Sequence, residues 1–261
     1  MVAEHPLWYH TIEVAPAVIT PGWFDLRPSV DRLPWPDVRD KRCLDVGTYD
    51  GFLAFELERR GAAEVVATDI PNHHEWDWSF AERTSGPELL DGMAARQGEG
   101  FEIAKRLLGS RVERVPISAY DLSPETVGRF DVVVCGSLML HLRDPVRALE
   151  SIRSVCSEQF MSAETINLPL TALLRKTSVA ALAGGESCRW LIPNSAGHRQ
   201  LVVAAGFEIE RTTRPYAISF GSAHPRPRGG PAARLERGLA RLLTGSQGIA
   251  HAALLARPRD A

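Results

Sequence analysis

The chain has 261 residues and 44% of them are hydrophobic, so it can bury a substantial core in one large domain. Its formal net charge of -2 argues against a surface built mainly to bind phosphate backbones. None of its four cysteines falls in a CxxC pair, so we predict neither a metal site nor a disulfide framework. The opening residues lack the pattern of a signal peptide, and no apolar run approaches the roughly 20 residues that cross a bilayer. We therefore expect a cytoplasmic protein that does not enter a membrane.

Residues 1–40 predict an ordered arm. They combine prolines with the following aromatic and histidine residues: Trp8, Tyr9, His10, Trp23, Phe24 and Trp35. This stretch is too aromatic for a disordered tail and too interrupted by proline for long regular elements. We expect the arm to pack on a main domain formed by residues 41–261.

From residue 41 onward, apolar runs alternate with helical periodicity. We predict strands at 42–46, 64–69, 111–117, 130–135, 159–164, 207–213 and 249–256. We predict helices at 51–60, within 87–108, and at 123–128, 144–156, 194–205 and 232–243. This alternation predicts an α/β fold with a seven-stranded, mostly parallel sheet and helices on both faces. Ligands then bind beyond the carboxyl ends of the strands.

Two insertions interrupt the alternation, at 71–99 and 165–192. We call them the first and the second lid. Residues 170–182 within the second lid predict a partly helical segment that ends before two glycines. Both insertions follow strands at the ligand-binding edge, where lids and substrate pockets are commonly built.

The turn after the first predicted strand is the strongest functional signal. Gly47 and Gly51 let the backbone pass close to a ligand. About twenty residues later, Asp69 occupies the position from which an acid binds the ribose in nucleotide-binding folds. A dinucleotide fingerprint would place a glycine where this chain has Tyr49. An aromatic ring there crowds a pyrophosphate, which favours S-adenosylmethionine over NAD.

The chain resembles class I S-adenosylmethionine-dependent methyltransferases over residues 42–213. The resemblance rests on this turn, on the acid after the second strand and on the run 130–134. Further blocks resemble the family of tRNA wobble-uridine carboxymethyltransferases and 5-methoxyuridine methyltransferases: 8–12, 20–26, 100–109, 138–145, 163–165 and 191–194. The resemblance implies a Rossmann-like class I methyltransferase fold and S-adenosylmethionine as the cofactor.

The resemblance also implies cofactor-binding positions, matched residue by residue. They are Gly47, Tyr49, Asp50 and Gly51 for the methionine part, Asp69 for the ribose, Ile70 for the adenine face, Ser118 and Ala119 for the adenine edge, and Gly136 for the methionine ammonium.

Departures from that family concern the residues that bind the extra carboxylate of a carboxylated cofactor. Leu140 stands at the tyrosine position, His251 at the arginine position, and no lysine precedes Lys41. A carboxylate in a desolvated site needs charged or strongly donating partners, so plain methyl transfer is the better interpretation. The arm is also shorter than in the tRNA enzymes, which weakens the case for tRNA.

Methyl transfer needs an aligned acceptor and, where the acceptor carries a proton, a base. We predict His141 as the base and Glu164 as the acid that orients it, because they follow the fourth and fifth strands of the fold. Candidate substrate contacts are Tyr9, His10, Trp23, His73 and Trp190.

The leading hypothesis is a methyltransferase that acts on a small molecule of secondary metabolism. One alternative makes tRNA the acceptor, bound by the basic segment 224–241. Another keeps cofactor binding but replaces methyl transfer with different chemistry, as in a cyclase or a regulatory subunit. The sequence leaves the oligomeric state open, with a homodimer as one alternative.

Overall fold

The structure is a computed structural model that describes residues 1–85, 96–184, 188–224 and 248–259, with isolated positions 238, 241, 242, 244 and 245. The strands are β1 Glu13–Ala15, β2 Val18–Ile19, β3 Phe24–Asp25, β4 Arg42–Val46, β5 Glu64–Asp69, β6 Glu113–Pro116, β7 Phe130–Gly136, β8 Cys156–Thr165, β9 Ala180–Leu182, β10 Leu191–Pro193, β11 Phe207–Thr212, β12 Tyr216–Phe220 and β13 Gly248–Pro258. The α-helices are α1 Phe52–Arg59, α2 Phe80–Ser85, α3 Glu99–Leu108, α4 Pro124–Val127, α5 Pro145–Val155, α6 Leu168–Leu173 and α7 Ser195–Ala204.

One sheet organises the molecule, and its strands follow the order β3-β12-β13-β8-β7-β4-β5-β6, with β11 also paired to β13. The strands from β8 to β6 are parallel, whereas β13 runs antiparallel to β8, β11 and β12. The parallel strands end at one edge of the sheet, and the predicted site residues lie in the loops that follow them.

The central strands are buried on both faces, which explains their continuous apolar sequences. Along β7, Val132 and Val134 face a core that includes Phe101 of α3. Val133, between them, faces a second core that includes Leu149 of α5. All three valines are fully buried, so the sheet is the middle layer of an α/β/α sandwich.

The predicted α/β fold is correct, but the sheet has nine strands where seven were expected. The two additional strands are short: β3 lies in the arm, and β12 follows a proline and precedes a glycine. Only the start of the segment 170–182, which was predicted to be partly helical, forms a helix. Helix α6 ends at Leu173, and β9 then pairs antiparallel with β10, so this part of the second lid is a hairpin. Most of the predicted helix 232–243 lies outside the described residues.

The arm is attached to the main domain at both ends. Near its start, the carboxylate of Asp50 accepts hydrogen bonds from the backbone amides of Tyr9 at 2.6 Å and His10 at 2.9 Å. Near its end, β3 pairs with β12 at the edge of the sheet. Trp8, only 2% exposed, belongs to the same core as α1. Within the described ranges, no helix is long and apolar enough to cross a bilayer.

Candidate active site

The loop after β4 has a fixed backbone conformation. Gly47 has a φ of 77° and Tyr49 a φ of 49°, the region in which L-residues are uncommon. The amides of Gly47 and Thr48 donate to the carbonyl of Thr68 on β5, and the amide of Tyr49 donates to the Asp69 carboxylate at 2.9 Å. These bonds hold the loop against the end of the neighbouring strand and set the Tyr49 ring at the cavity wall.

Asp69 ends β5 and is satisfied by two backbone amides. One oxygen accepts from Tyr49, and the other accepts from Ile70 at 2.8 Å. Burial raises the pKa of Asp69, while nearby Arg114 and these two amides oppose the rise. Each carboxylate oxygen can accept a second hydrogen bond, so the side chain is suited to bind a pair of ligand hydroxyls.

A cavity of about 500 Å³ opens at this edge of the sheet. It brings together most of the predicted cofactor residues: Gly47, Tyr49, Asp69, Ile70, Ser118, Ala119 and Gly136. The first lid adds Trp76 and Trp78, whose rings stack with centroids 5.4 Å apart. We call this space the donor cavity.

Asp50 and Gly51 do not line the donor cavity, and their role in cofactor binding stays a prediction. The Asp50 carboxylate binds the arm, and burial raises its pKa to about 7 despite the two amides. Gly51 has a φ of 93°, and a Cβ there would lie 2.5 Å from the Phe55 ring and 2.8 Å from the Phe101 ring. In the structure both residues position the loop and the arm.

A second cavity of about 310 Å³ adjoins the first. The two share Tyr9, His10, Trp23, Gly47, Gly136, Ser137 and His141. The rest of the second cavity is mostly apolar, with side chains from the arm, β12 and β13. We call it the acceptor cavity, because it meets the donor cavity at His141.

His141 lies at the junction of the two cavities, in the 3-10 turn Met139–His141 after β7. Its Nδ1 lies 2.7 Å from the Cys188 carbonyl. A carbonyl oxygen only accepts, so Nδ1 carries the proton and Nε2 keeps its lone pair. Burial lowers the pKa of His141, and the neighbouring Arg189 lowers it further. The imidazole is therefore a neutral base held in one tautomer.

Glu164 is buried and lines neither cavity, so it does not orient His141 as predicted. Its two oxygens accept from the amides of Leu138 at 3.3 Å and Met139 at 3.2 Å. Burial raises its pKa to about 8, although those amides oppose the rise. Glu164 fixes the start of the turn that carries His141, a positioning role one step from the site.

Among the predicted substrate residues, Tyr9, His10 and Trp23 line both cavities. Burial lowers the pKa of His10 to about 3, so its ring is neutral. His73 and Trp190 line neither cavity, so their contact with a substrate stays a prediction. The Trp190 indole donates to the Asp77 carbonyl at 2.6 Å and thereby joins the second lid to the first.

A polar cluster in the acceptor cavity was missed by sequence reasoning. His251 on β13 donates from Nδ1 to the Ile249 carbonyl, and its Nε2 lies 2.8 Å from the Ser137 hydroxyl and 3.1 Å from the Thr165 hydroxyl. Burial lowers the pKa of His251 to about 4. The buried hydroxyl of Tyr216 has no hydrogen-bond partner. The available signal was a lone histidine in an apolar strand.

Comparison with known proteins identifies the family and the fold. A family of methyltransferase domains matches residues 25–211. The chain belongs to this family. The ubiquinone biosynthesis O-methyltransferase of Acinetobacter baumannii strain ACICU is 28% identical over 129 residues, which are 48% of the chain and 45% of that relative. The methyltransferase thus spans about half the length of the curated relatives it matches.

Solved structures show the same fold at low identity. Magnesium protoporphyrin IX methyltransferase from Synechocystis PCC 6803, with bound S-adenosylhomocysteine, has a TM-score of 0.50 and 17% identity, covering 86% of this methyltransferase and 76% of that chain. The [4+2]-cyclase SpnF has a TM-score of 0.53 and 19% identity, covering 100% and 91%. The Rossmann-like class I methyltransferase fold is confirmed.

Proposed function

We propose that the protein transfers a methyl group from S-adenosylmethionine to an oxygen or nitrogen of a small molecule, an intermediate of secondary metabolism. The observation that carries the proposal is the position of His141. A neutral imidazole in one tautomer stands where the donor and acceptor cavities meet, with Nε2 able to accept a proton.

The donor cavity is suited to a cationic cofactor. In the described part of the chain it is lined by the carboxylates of Asp69, Glu75 and Asp77, and by no lysine or arginine. A pyrophosphate would need cationic or amide-rich partners, whereas a sulfonium and an ammonium favour carboxylates and aromatic faces. Tyr49 and Trp76 supply such faces. Related folds with bound S-adenosylhomocysteine support the same donor.

When bound, S-adenosylmethionine would supply an electrophilic methyl group: the acceptor lone pair would bond to the methyl carbon as the carbon–sulfur bond breaks, and S-adenosylhomocysteine would be the leaving group. The residues of this chain align that acceptor and remove its proton. Nε2 of His141 takes the proton, and the Cys188 carbonyl holds the ring in the tautomer that can do so. Tyr9 and Trp23 cover the junction from the arm and exclude water from it.

A small acceptor is supported by the construction of its cavity, which is walled by the arm and by β12 and β13. The basic segment 224–241, which carries the tRNA alternative, lies mostly outside the described residues. The O-methyltransferase named for ubiquinone biosynthesis also favours a small molecule. The likeness to a cyclase keeps non-methylating chemistry as the second candidate.

The test uses S-adenosylmethionine with a deuterated methyl group. The protein is incubated with this donor and a metabolite extract, and mass spectrometry detects products that carry the label and S-adenosylhomocysteine in equal amount. We expect both to form, and to be absent with His141→Asn. S-Adenosylhomocysteine that binds tightly while no labelled small molecule forms would favour the non-methylating candidate, and label in tRNA alone would favour the nucleic-acid substrate.

A further inference from the structure

Arg189 in the second lid is a partly buried cation for which the described residues offer no ion-pair partner. It lines the acceptor cavity, and its Nε is inaccessible to water and makes no hydrogen bond. No carboxylate of the described residues forms an ion pair with it. A guanidinium stays charged at any physiological pH, and removing it from water is costly unless an anion compensates.

The backbone around Arg189 is fixed on both sides. The preceding residue, Cys188, donates its amide to Glu82 at 3.3 Å and accepts from His141 at its carbonyl. The following residue, Trp190, donates its amide to the Leu140 carbonyl at 2.8 Å and its indole to Asp77. Arg189 is therefore held beside His141 by contacts that do not involve its own side chain.

Among the described residues, the other polar groups of the acceptor cavity compensate this charge only weakly. Burial keeps the histidines at 10, 141 and 251 neutral by lowering their pKa values. The carboxyl of Asp45 lines the same cavity, but burial raises its pKa to about 7. Around these groups the walls are apolar and include Phe24, Leu140 and Ile192. The cavity thus combines one fixed cation with an apolar interior.

We propose that the methyl acceptor is an organic acid with an apolar body, whose carboxylate binds Arg189. The two terminal nitrogens of the planar guanidinium offer N–H groups to the two carboxylate oxygens. The apolar body fills the cavity of about 310 Å³, and a hydroxyl or amine of the same molecule reaches Nε2 of His141. The carboxylate is held and not methylated, so the product is an ether or a methylamine that keeps its free acid.

This inference rests on the proposed function, because it identifies the second cavity as the acceptor site. Its test is therefore a binding experiment that needs no turnover. The full chain, loaded with S-adenosylhomocysteine, is titrated calorimetrically with two acid and amide pairs: cinnamate with cinnamamide, and decanoate with decanamide. We expect each acid to bind at least about tenfold more tightly than its amide.

Variants separate recognition from folding. Arg189→Gln should abolish the preference for acids, and Arg189→Lys should keep part of it, because lysine retains the charge without the planar fork. The matched control is Arg199→Gln, which removes an exposed arginine of α7 and should keep the full preference. Binding of S-adenosylhomocysteine by each variant reports that its fold is intact.

Equal affinity for acids and amides in the wild type, or a preference that persists in Arg189→Gln, would overturn the inference. A methyl ester as the enzymatic product would overturn it as well. Failure of S-adenosylhomocysteine to bind the wild type would instead contradict the proposed function. The acid and amide titrations would then be made on the donor-free protein, where they still decide the role of Arg189.

Discussion

The donor and acceptor cavities meet at His141 but satisfy their polar groups in different ways. In the donor cavity, the Asp69 carboxylate accepts two backbone amides, one on each oxygen. In the acceptor cavity, the hydroxyl of Tyr216 and Nε of Arg189 are buried without partners. The Asp69 carboxylate is thus satisfied within the chain, whereas the second cavity holds buried polar atoms without a partner among the described residues.

The cavities also differ in what supports them. The donor cavity is formed mainly by loops after parallel strands, with Tyr9, His10 and Trp23 of the arm at its junction with the acceptor cavity. The acceptor cavity takes more of its lining from the arm, together with the second lid and the antiparallel strands. Changes to the arm should therefore affect the acceptor more than the donor. The following predictions test that separation, from the largest effect to the smallest.

His141→Asn should lower kcat by about 10²- to 10³-fold, because the base is lost at the junction of the cavities. Asparagine can still donate to the Cys188 carbonyl, so donor affinity should remain that of the wild type. Since the pKa of His141 is lowered, wild-type kcat/KM should hold below pH 6.5 and fall only at lower pH, as the imidazole gains a proton. A pH profile with the identified acceptor checks this. An unchanged kcat in the variant would exclude His141 as the base.

Asp69→Asn should weaken S-adenosylhomocysteine binding about 100-fold, or about 3 kcal/mol, because an amide cannot accept from two backbone amides and the ligand together. Isothermal titration calorimetry measures the affinity. Asp121→Asn, which changes an exposed carboxylate nearby, is the matched control and should bind normally. Equal affinities for the two variants would remove Asp69 from the donor site.

Asp50→Ala should release the arm and lower the free energy of unfolding by about 2 kcal/mol, since the amides of Tyr9 and His10 lose their acceptor. The arm should become cleavable by protease, and the acceptor KM should rise while donor affinity changes little. Limited proteolysis and calorimetry check the two effects. A large loss of donor affinity with an intact arm would restore Asp50 as a cofactor residue.

Glu164→Gln should flatten the dependence of stability on pH. The folded-state pKa of Glu164 is about 8 against an ordinary value of 4.5, so between these values the folded protein binds more protons than the unfolded chain. The wild-type free energy of unfolding therefore falls as pH rises from 4.5 to 8. Over the same pH interval, the free energy of unfolding of the variant should fall by at least about 1 kcal/mol less than that of the wild type.

Urea denaturation at several pH values measures that difference, with Glu102→Gln, an exposed position on α3, as the control. Asp45 and Asp50 also have raised pKa values, so some dependence on pH should remain. Identical pH slopes for the wild type and Glu164→Gln would argue against a protonated Glu164 in the folded state.

Trp190→Phe should lower the free energy of unfolding by only about 1 kcal/mol, because it removes one hydrogen bond to the Asp77 carbonyl. Turnover should be retained, since the Trp190 side chain lines neither cavity. Thermal denaturation and initial rates measure the two quantities. A large rise in the acceptor KM with unchanged stability would return Trp190 to the substrate site.

The donor cavity could largely be assembled from the sequence because its signals are local. Two signals identify the loop and Asp69: a glycine turn after an apolar run, and an acid at the end of the next strand. The two signals lie within about thirty residues of each other. Asp50 is harder to interpret because a carboxylate in such a loop can point to either side. Only the packed arm shows that it accepts from the amides of Tyr9 and His10.

The acceptor cavity could not be assembled in the same way, because its residues are distant in sequence. Ser137 and His251 meet only after β13 inserts beside β8, and Tyr216 lies on a strand that sequence patterns did not reveal. A lone arginine such as Arg189 also has no periodic signal. Its significance appears only when the structure places it in the wall of the acceptor cavity, with no hydrogen-bond partner for Nε among the described residues.

The pairing of β3 with β12 sets an order for the folding of this protein. Asp25 lies opposite Ser219, so the arm, although made first at the ribosome, reaches its place only after most of the chain has been synthesised. Contacts that close such long loops form late, and short edge strands open early. A partly unfolded molecule whose arm has detached can thus still bind the methyl donor after its acceptor cavity has opened.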